Sequence, residues 1–315
     1  MAAASKGATY ARKKPFLTKL DVIGWAFISP WLIGFLVFTA FPFFASLFLS
    51  FTDWGIVGSW HLVGTQNYQD MFNGTDSRFF TAVRNTLFYA VVTVPCSQII
   101  ALLLAMLLNK KSPGIAFFRT LFYVPAIATG VGTTYLWALM FSNQGGLLNS
   151  ALAVVGIQGP NWLYSLTWSM PAIMIVGLWN VGTSMLIYLA ALQGVPQSLY
   201  DAASVDGANG WVKFRSVTVP MITPGMFFNL VFGVIASFQV FTTVYIITQG
   251  GPADSTLVYI LYLYQVAFQN LQMGYASALA WILFLSVLVI TIVQLAIARL
   301  WVYYEGGAET SADSR

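Results

Sequence analysis

Acid–base, nucleophilic and metal chemistry need titratable or thiol side chains brought within a few ångströms of one another. This sequence offers ten Asp and Glu, one histidine, His61, and one cysteine, Cys96. A single histidine builds neither a metal site nor a proton relay, and a single cysteine excludes disulfides within the chain and reads as a small hydrophobe. The apolar runs hold hydroxyls with no base beside them, so no serine is activated there. No Gly-Lys-Ser or Gly-Lys-Thr loop is present, so the chain is not expected to hydrolyse ATP by that route. Its densest group of polar and small residues is instead "PQSLYDAASVDGANGWVKFRSVTVPMITPG", Pro196 to Gly225, an interruption between two apolar runs.

The elements that must position this segment follow from composition. Charged residues make up 8% of the 315 and apolar residues 58%, with a mean hydropathy of +0.75, against the roughly 25% charge of a soluble domain. The fold class is therefore all-α and polytopic in a membrane. Six stretches are long enough to cross: Val22 to Phe51, Ala82 to Leu108, Phe118 to Phe141, Trp168 to Leu192, Pro224 to Ile247 and Tyr275 to Val302. Their length and lack of alternation favour helices over barrel strands. Pro30, Pro42, Pro95, Pro125 and Pro171 are expected to kink these helices.

Orientation follows from the cations, which gather on the cytoplasmic side. With the N-terminus inside, Lys6, Arg12, Lys13, Lys14, Lys19, Lys110, Lys111, Arg119, Lys213, Arg215, Arg299 and Arg315 are cytoplasmic, and only Arg78 and Arg84 are external. Both termini are thus expected inside, with residues 1–21 and 303–315 as cytoplasmic ends, 22–302 as the membrane domain and 196–222 as a cytoplasmic loop. The formal charge of +4 is a topology signal and calls for no nucleic acid. Every acid and base lies outside the spans or at their ends, which disfavours an ion-coupled carrier, although sodium sites built from carbonyls and hydroxyls stay open.

Within the interruption, Pro196 ends the fourth span. Ser198, three residues before Asp201, predicts a capped helix from Leu199 that carries Ala202 and Ala203 and stops at Gly207. Asn209-Gly210 supplies a turn, and a second short helix, Trp211 to Val217, ends before Pro220. From the residues alone, this elbow is either a linker lying at the membrane surface or a docking surface, since small residues admit another backbone.

Polar residues of the fifth span share one side at ~100° per residue: Asn229, Gly233, Ala236, Ser237, Gln239, Val240 and Thr243. Gly177, Asn180, Thr183 and Ser184 cluster likewise in the fourth. Small and hydroxyl residues glue membrane helices together; amides and hydroxyls in mid-membrane also suit the hydroxyls of a sugar.

The spacing of Asp201-Ala202-Ala203, Gly207, Val217, Val219 and Pro220 resembles the EAA motif of ABC importer permeases, and "DGA" with Phe214 the carbohydrate-uptake branch. Asp201 stands where that family usually has Glu. "VGTQNYQDMF", "NTLFYA", "FFRTLFYVPAI", "TQGGPADST" and "MGYASALAW" are also similar to stretches of sugar-importer permeases, the fourth to the MalF-type member of the permease pair. The resemblance implies a type I importer permease fold in the bacterial inner membrane. It implies a second homologous permease, cytoplasmic subunits that bind ATP and Mg, and an extracytoplasmic solute-binding protein. It places ATPase coupling at Asp201, Ala202, Ala203, Ser204, Asp206, Gly207 and Ala208, and sugar contact at Asn180, Thr183, Ser184, Gly233, Ser237, Gln239 and Val240.

Overall fold

The computed structural model describes residues 19–56, 58–110, 112–128 and 130–303. The expectations for residues 1–18, Lys111 and residues 304–315, including Lys6, Arg12, Lys13, Lys14 and Arg315, lie outside them. Among the described residues helix is the regular structure, with one isolated bridge between Thr52 and Leu62. The first span is α1, Ile23–Leu49. The outer loop carries α2, Gln66–Phe72, ahead of α3, Ser77–Leu108. Then come α4, Ile115–Ile127, α5, Val131–Met140, and the short α6, Leu147–Val154. Next, α7, Ser169–Trp179, is followed by α8, Gly182–Gln193, and α9, Gln197–Val205. A long helix, α10, runs from Gly210–Lys213 through Phe214–Thr218 into Val219–Phe238, and α11 follows at Thr242–Ile247. Last are α12, Tyr259–Tyr264, and α13, Met273–Trp301.

Four helical spans are long and apolar enough to cross a membrane: α1, α3, α10 with α11, and α13. The expected third and fourth spans are each a bent pair, α4/α5 turning by 100° and α7/α8 by 45°; taken as single spans they bring the number to six. The breaks do not fall at the prolines. Pro30, Pro95, Pro125 and Pro224 all lie inside continuous helix. Before Pro42 and Pro220 the helix widens into a π turn, at Leu36–Ala40 and Phe214–Thr218, and Phe41 and Val219 donate to the carbonyls of Leu36 and Phe214, five residues back. Each π turn makes room for the ring of the following proline, so the chain continues as helix. The expected stop before Pro220 is therefore absent: the second short elbow helix, Trp211 to Val217, is the first part of α10.

The strut of the molecule is α3, at 32 residues about 48 Å long. Asp76 caps it, accepting from the backbone N–H groups of Arg78 and Phe79 at 3.1 and 3.2 Å. Near its far end Ala101, Ala105 and Leu108 recur every three to four residues and pack against Met185, Tyr188, Leu189 and Leu192 of α8 and Ile222 of α10. Small side chains let the helices approach closely. A second core gathers at the opposite end, where Phe79, Ala82 and Tyr89 meet Ile173, Val244, Leu257, Tyr259, Leu261 and Leu279. The helix α12, too short to cross and absent from the expected spans, is buried here.

The outer loop after α1 is bound over the start of α13. Asn67 donates through Nδ2 to the carbonyls of Ser50 and Thr52, and Gly274 donates its backbone N–H to Trp54 at 2.8 Å. A Cβ on Gly274 would lie 2.0 Å from the Thr52 carbonyl oxygen, whereas one on Gly34 meets nothing within 4 Å. Gly274→Ala is expected to destabilise the protein by about 1–3 kcal/mol, and Gly34→Ala to leave it unchanged. Thermal unfolding in detergent, followed by loss of the monodisperse species, checks the pair.

Candidate functional site

The elbow is built from one short helix and the root of a long one. Its helix α9 begins at Gln197, directly after Pro196, and not at Leu199 behind a Ser198 cap. Proline's fixed φ sets the entry without a donor. Asp201, the acid of the expected capping pair, accepts instead from Gln197 Nε2 at 3.2 Å, one turn away.

At the far end Gly207 donates its N–H to Ser204 at 3.1 Å and Ala208 donates to Ala203 at 2.9 Å, the paired bonds of a Schellman motif. The motif requires a left-handed residue, and Gly207 has φ +76°. Among the described residues, its chain neighbours aside, no atom lies within 4 Å of a Cβ built there. Asn209 then caps α10 by accepting from the Val212 N–H at 2.9 Å.

Two contacts brace α9 on α10. Tyr200 and Thr218 share a hydroxyl–hydroxyl bond of 2.9 Å, and Lys213 Nζ donates to Ser204 Oγ at 2.7 Å. The rest of the elbow is open: Asp201, Ala202, Asp206 and Gly207 are exposed, Ala203 and Ala208 half-buried, and apolar Val205 is 89% exposed, while Ser204, also exposed, turns its hydroxyl to the brace. The result is a braced knob that presents small and apolar groups beside the carboxylates of Asp201 and Asp206.

The second set of residues surrounds two helix breaks. Asn180 occupies the break between α7 and α8, and Gln239 and Val240 the break between α10 and α11. A helix end leaves up to four N–H or C=O groups without intrahelical partners, which hydrocarbon does not satisfy. Each break therefore needs protein, water or a ligand beside it, and at each the sequence places an amide. Asn180, Thr183 and Gln239 are exposed on the single chain, Ser184, Gly233 and Val240 half-buried, and Ser237 buried with its hydroxyl donating to Val234. Gly233 faces α3, where a Cβ would lie 3.2 Å from Gln98 Nε2.

Between these two features lies a polar clasp absent from the sequence expectations. Tyr188 donates to Gln98 Oε1 at 2.6 Å, Gln98 Nε2 donates to the Asn229 carbonyl at 3.3 Å, and Asn229 Nδ2 donates to the Ser184 carbonyl at 3.1 Å. One chain of bonds thus ties α3, α8 and α10. Asn229, on the polar side of the fifth span, is buried as helix glue. The amide of Gln98 deep in the second span was the available signal.

Residues 75–302, from the cap of α3 to the end of α13, match the family described as "Binding-protein-dependent transport system inner membrane component". The probable ABC transporter permease protein YesP of Bacillus subtilis strain 168 is 42% identical over 307 residues, covering 96% of this chain and 99% of that one. The lactose transport system permease protein LacF of Rhizobium radiobacter is 36% identical over 287 residues, covering 89% and 95%. A chain in the crystal structure of a bacterial alginate ABC transporter, in complex with an alginate pentasaccharide-bound periplasmic protein, superposes with a TM-score of 0.78. That chain is 23% identical, the match covers 89% of this chain and 95% of that one, and the likeness is one of fold.

The clasp makes a quantitative expectation. Tyr188→Phe and Gln98→Ala each remove the same 2.6 Å bond, so their effects on thermal stability should be non-additive, with a coupling of about 0.5–1.5 kcal/mol. A double-mutant cycle on the purified chain measures it.

Proposed function

The chain belongs to the binding-protein-dependent transport system inner membrane component family, and on that premise we propose that it forms half of the path by which a sugar or oligosaccharide enters the cell. Members of this family are the non-catalytic membrane subunits of ABC transporters. In our reading a second, homologous permease completes the path, cytoplasmic subunits bind and hydrolyse ATP with Mg, and an external binding protein delivers cargo. The names of the relatives support a carbohydrate: lactose for one, starch degradation products and arabinooligosaccharides for others. The dearth of charge inside the spans suits a neutral polyhydroxyl cargo.

The observation that carries the proposal is the braced elbow. Its exposed face, from Asp201 to Ala208, is the ATPase docking surface. Closure of the ATPase pushes on α9, the Tyr200–Thr218 and Lys213–Ser204 bonds pass the push to α10, and α10 carries it to the break at Gln239. Asn180 and Gln239, with Thr183 and Ser184 nearby, offer amides and hydroxyls to the cargo at the two breaks, while Gly233, Ser237 and Val240 set the spacing of the walls. The cation distribution supports an elbow in the cytoplasm and the Arg78–Arg84 end of α3 outside. The domain limits proposed from the sequence, 22–302 for the membrane domain and 196–222 for the coupling loop, accommodate this arrangement.

Gly207→Asn separates the two reasons for a glycine. Asparagine tolerates the left-handed conformation, so the elbow keeps its shape, yet its side chain enters the surface offered to the ATPase. Insertion and thermal midpoint should be normal, while uptake and ATPase co-purification fall about ten-fold or more, the scale of a lost buried contact. Full uptake by this variant would return the elbow to a linker.

At the breaks, Asn180→Ala and Gln239→Ala each remove hydrogen bonds of about 0.5–1.5 kcal/mol. Uptake per folded transporter should fall roughly 2- to 10-fold, with a changed ratio between two related sugars and with ATPase stimulation by loaded binding protein preserved. Unchanged uptake and selectivity in both variants would remove the cargo assignment.

A further inference from the structure

The outer end of α3 carries two arginines in different situations. Arg78 is anchored: Nε and Nη2 donate to the two carboxylate oxygens of Asp254, each at 3.0 Å, and Nη2 also donates to Gln265 Oε1 at 2.8 Å. Its guanidinium lies 5.6 Å from the Tyr262 ring centroid. Asn85, two turns along the helix, donates to the carbonyls of Asp254 and Leu257 at 2.8 and 3.1 Å. These bonds hold a turn in which Ala253 and Asp254 both have positive φ, +46° and +57°, a conformation that costs L-residues about 1–2 kcal/mol each.

Arg84 has no comparable anchor. It is exposed, and among the described residues it makes neither a hydrogen bond nor an ion pair. The nearby turn has its own loose end: Ser255 Oγ is buried without a hydrogen-bond partner. Arg84 and Ser255 line one cavity of about 480 Å³, walled by Phe88 and Met170, between α3, the start of α7 and the turn.

A guanidinium presents a planar fork of donors and asks for an acceptor, and the Ser255 hydroxyl, covered where it stands and without a partner among the described residues, adds a donor when its rotamer turns into the recess. The carboxylate nearest by position in the turn, Asp254, is already forked by Arg78. The recess is lined by apolar groups and by Thr81, Asn85 and Thr167, and the Asp254 carboxylate on its edge is already neutralised by Arg78, so the open charge is the Arg84 fork, which matches a planar monoanion, a carboxylate. Since α3 is about 48 Å long and hydrocarbon about 30 Å thick, Arg84, seven residues into the helix, is placed at the membrane surface or beyond it.

We infer that this recess receives an aspartate or glutamate side chain of the solute-binding protein as it docks on the outer face. The inference rests on the proposed function, which supplies that partner and the orientation. The held turn fixes Ser255 and so shapes the recess, and Arg84 supplies attraction that acts over the approach and weakens with salt.

The test uses the assembled transporter in nanodiscs, with ATP hydrolysis titrated against its loaded binding protein at two salt concentrations. Arg84→Gln should raise the half-maximal binding-protein concentration about ten-fold at low salt, flatten the salt dependence, and leave the plateau rate and sugar selectivity unchanged. Arg84→Lys should recover part of the loss and Ser255→Ala should show a smaller one. An unchanged half-maximal concentration in Arg84→Gln, at normal thermal stability, overturns the inference. A shifted preference between neutral and carboxylate-bearing sugars with unchanged docking also overturns it, because the recess would then serve the cargo. If no binding protein stimulates the wild-type complex, the functional reading itself fails and the inference with it.

Discussion

Hydrocarbon offers no hydrogen bonds, so every backbone N–H and C=O within the membrane must find a partner inside the protein or in trapped water. Continuous helices meet that demand alone, and α1, α3 and α13 do so. Against it, the interruptions at Asn180 and at Gln239–Phe241 stand out, because each opens the backbone of a span that prolines elsewhere leave intact. A break costs the fold several unpaired groups unless something polar lies beside it. In the proposed function the breaks at Asn180 and Gln239 mark the polar path; the third, sharper one, between α4 and α5, carries no amide.

The means of holding them is α3. One end packs through alanines against α8 and α10, and the other is locked into the buried core with α12 and α13. The Tyr188–Gln98–Asn229–Ser184 chain fixes α8 against α10 between the elbow and the breaks. In the proposed function a displacement at α9 enters α10 through two side-chain bonds and the four-residue connection 206–209. The first span contributes little to this frame: none of its apolar window is buried inside the chain, and its inner contacts are those of Phe43 and Ser46 with Trp281 and Phe284. Its exposed face is left for lipid or for another subunit.

The spans were legible because composition leaves no alternative for runs of that length. Gly207 was legible too, since a glycine between small polar residues after a helical stretch announces a left-handed stop. The breaks were not. Trp179-Asn180-Val181 and Gln239-Val240-Phe241 each carry a single amide and no proline, and one amide in an apolar run does not distinguish a break from a polar face. Their unwinding is decided by packing between helices, which periodicity does not register. Prolines misled in the opposite direction: Pro220 looked like a terminator, and the π turn at Phe214–Thr218 absorbs it. The clasp escaped because Gln98 finds its partners 90 and 131 residues away.

Accessibility of the breaks to water tests the central claim most directly. With Cys96 replaced by alanine, single cysteines at Asn180 and Gln239 in the assembled transporter would be exposed to a hydrophilic thiol reagent, beside an apolar mid-helix control at Phe228. The account predicts that both break positions react and that the transported sugar slows the reaction, while the control stays inert. Break positions as unreactive as Phe228 in every nucleotide state would contradict it.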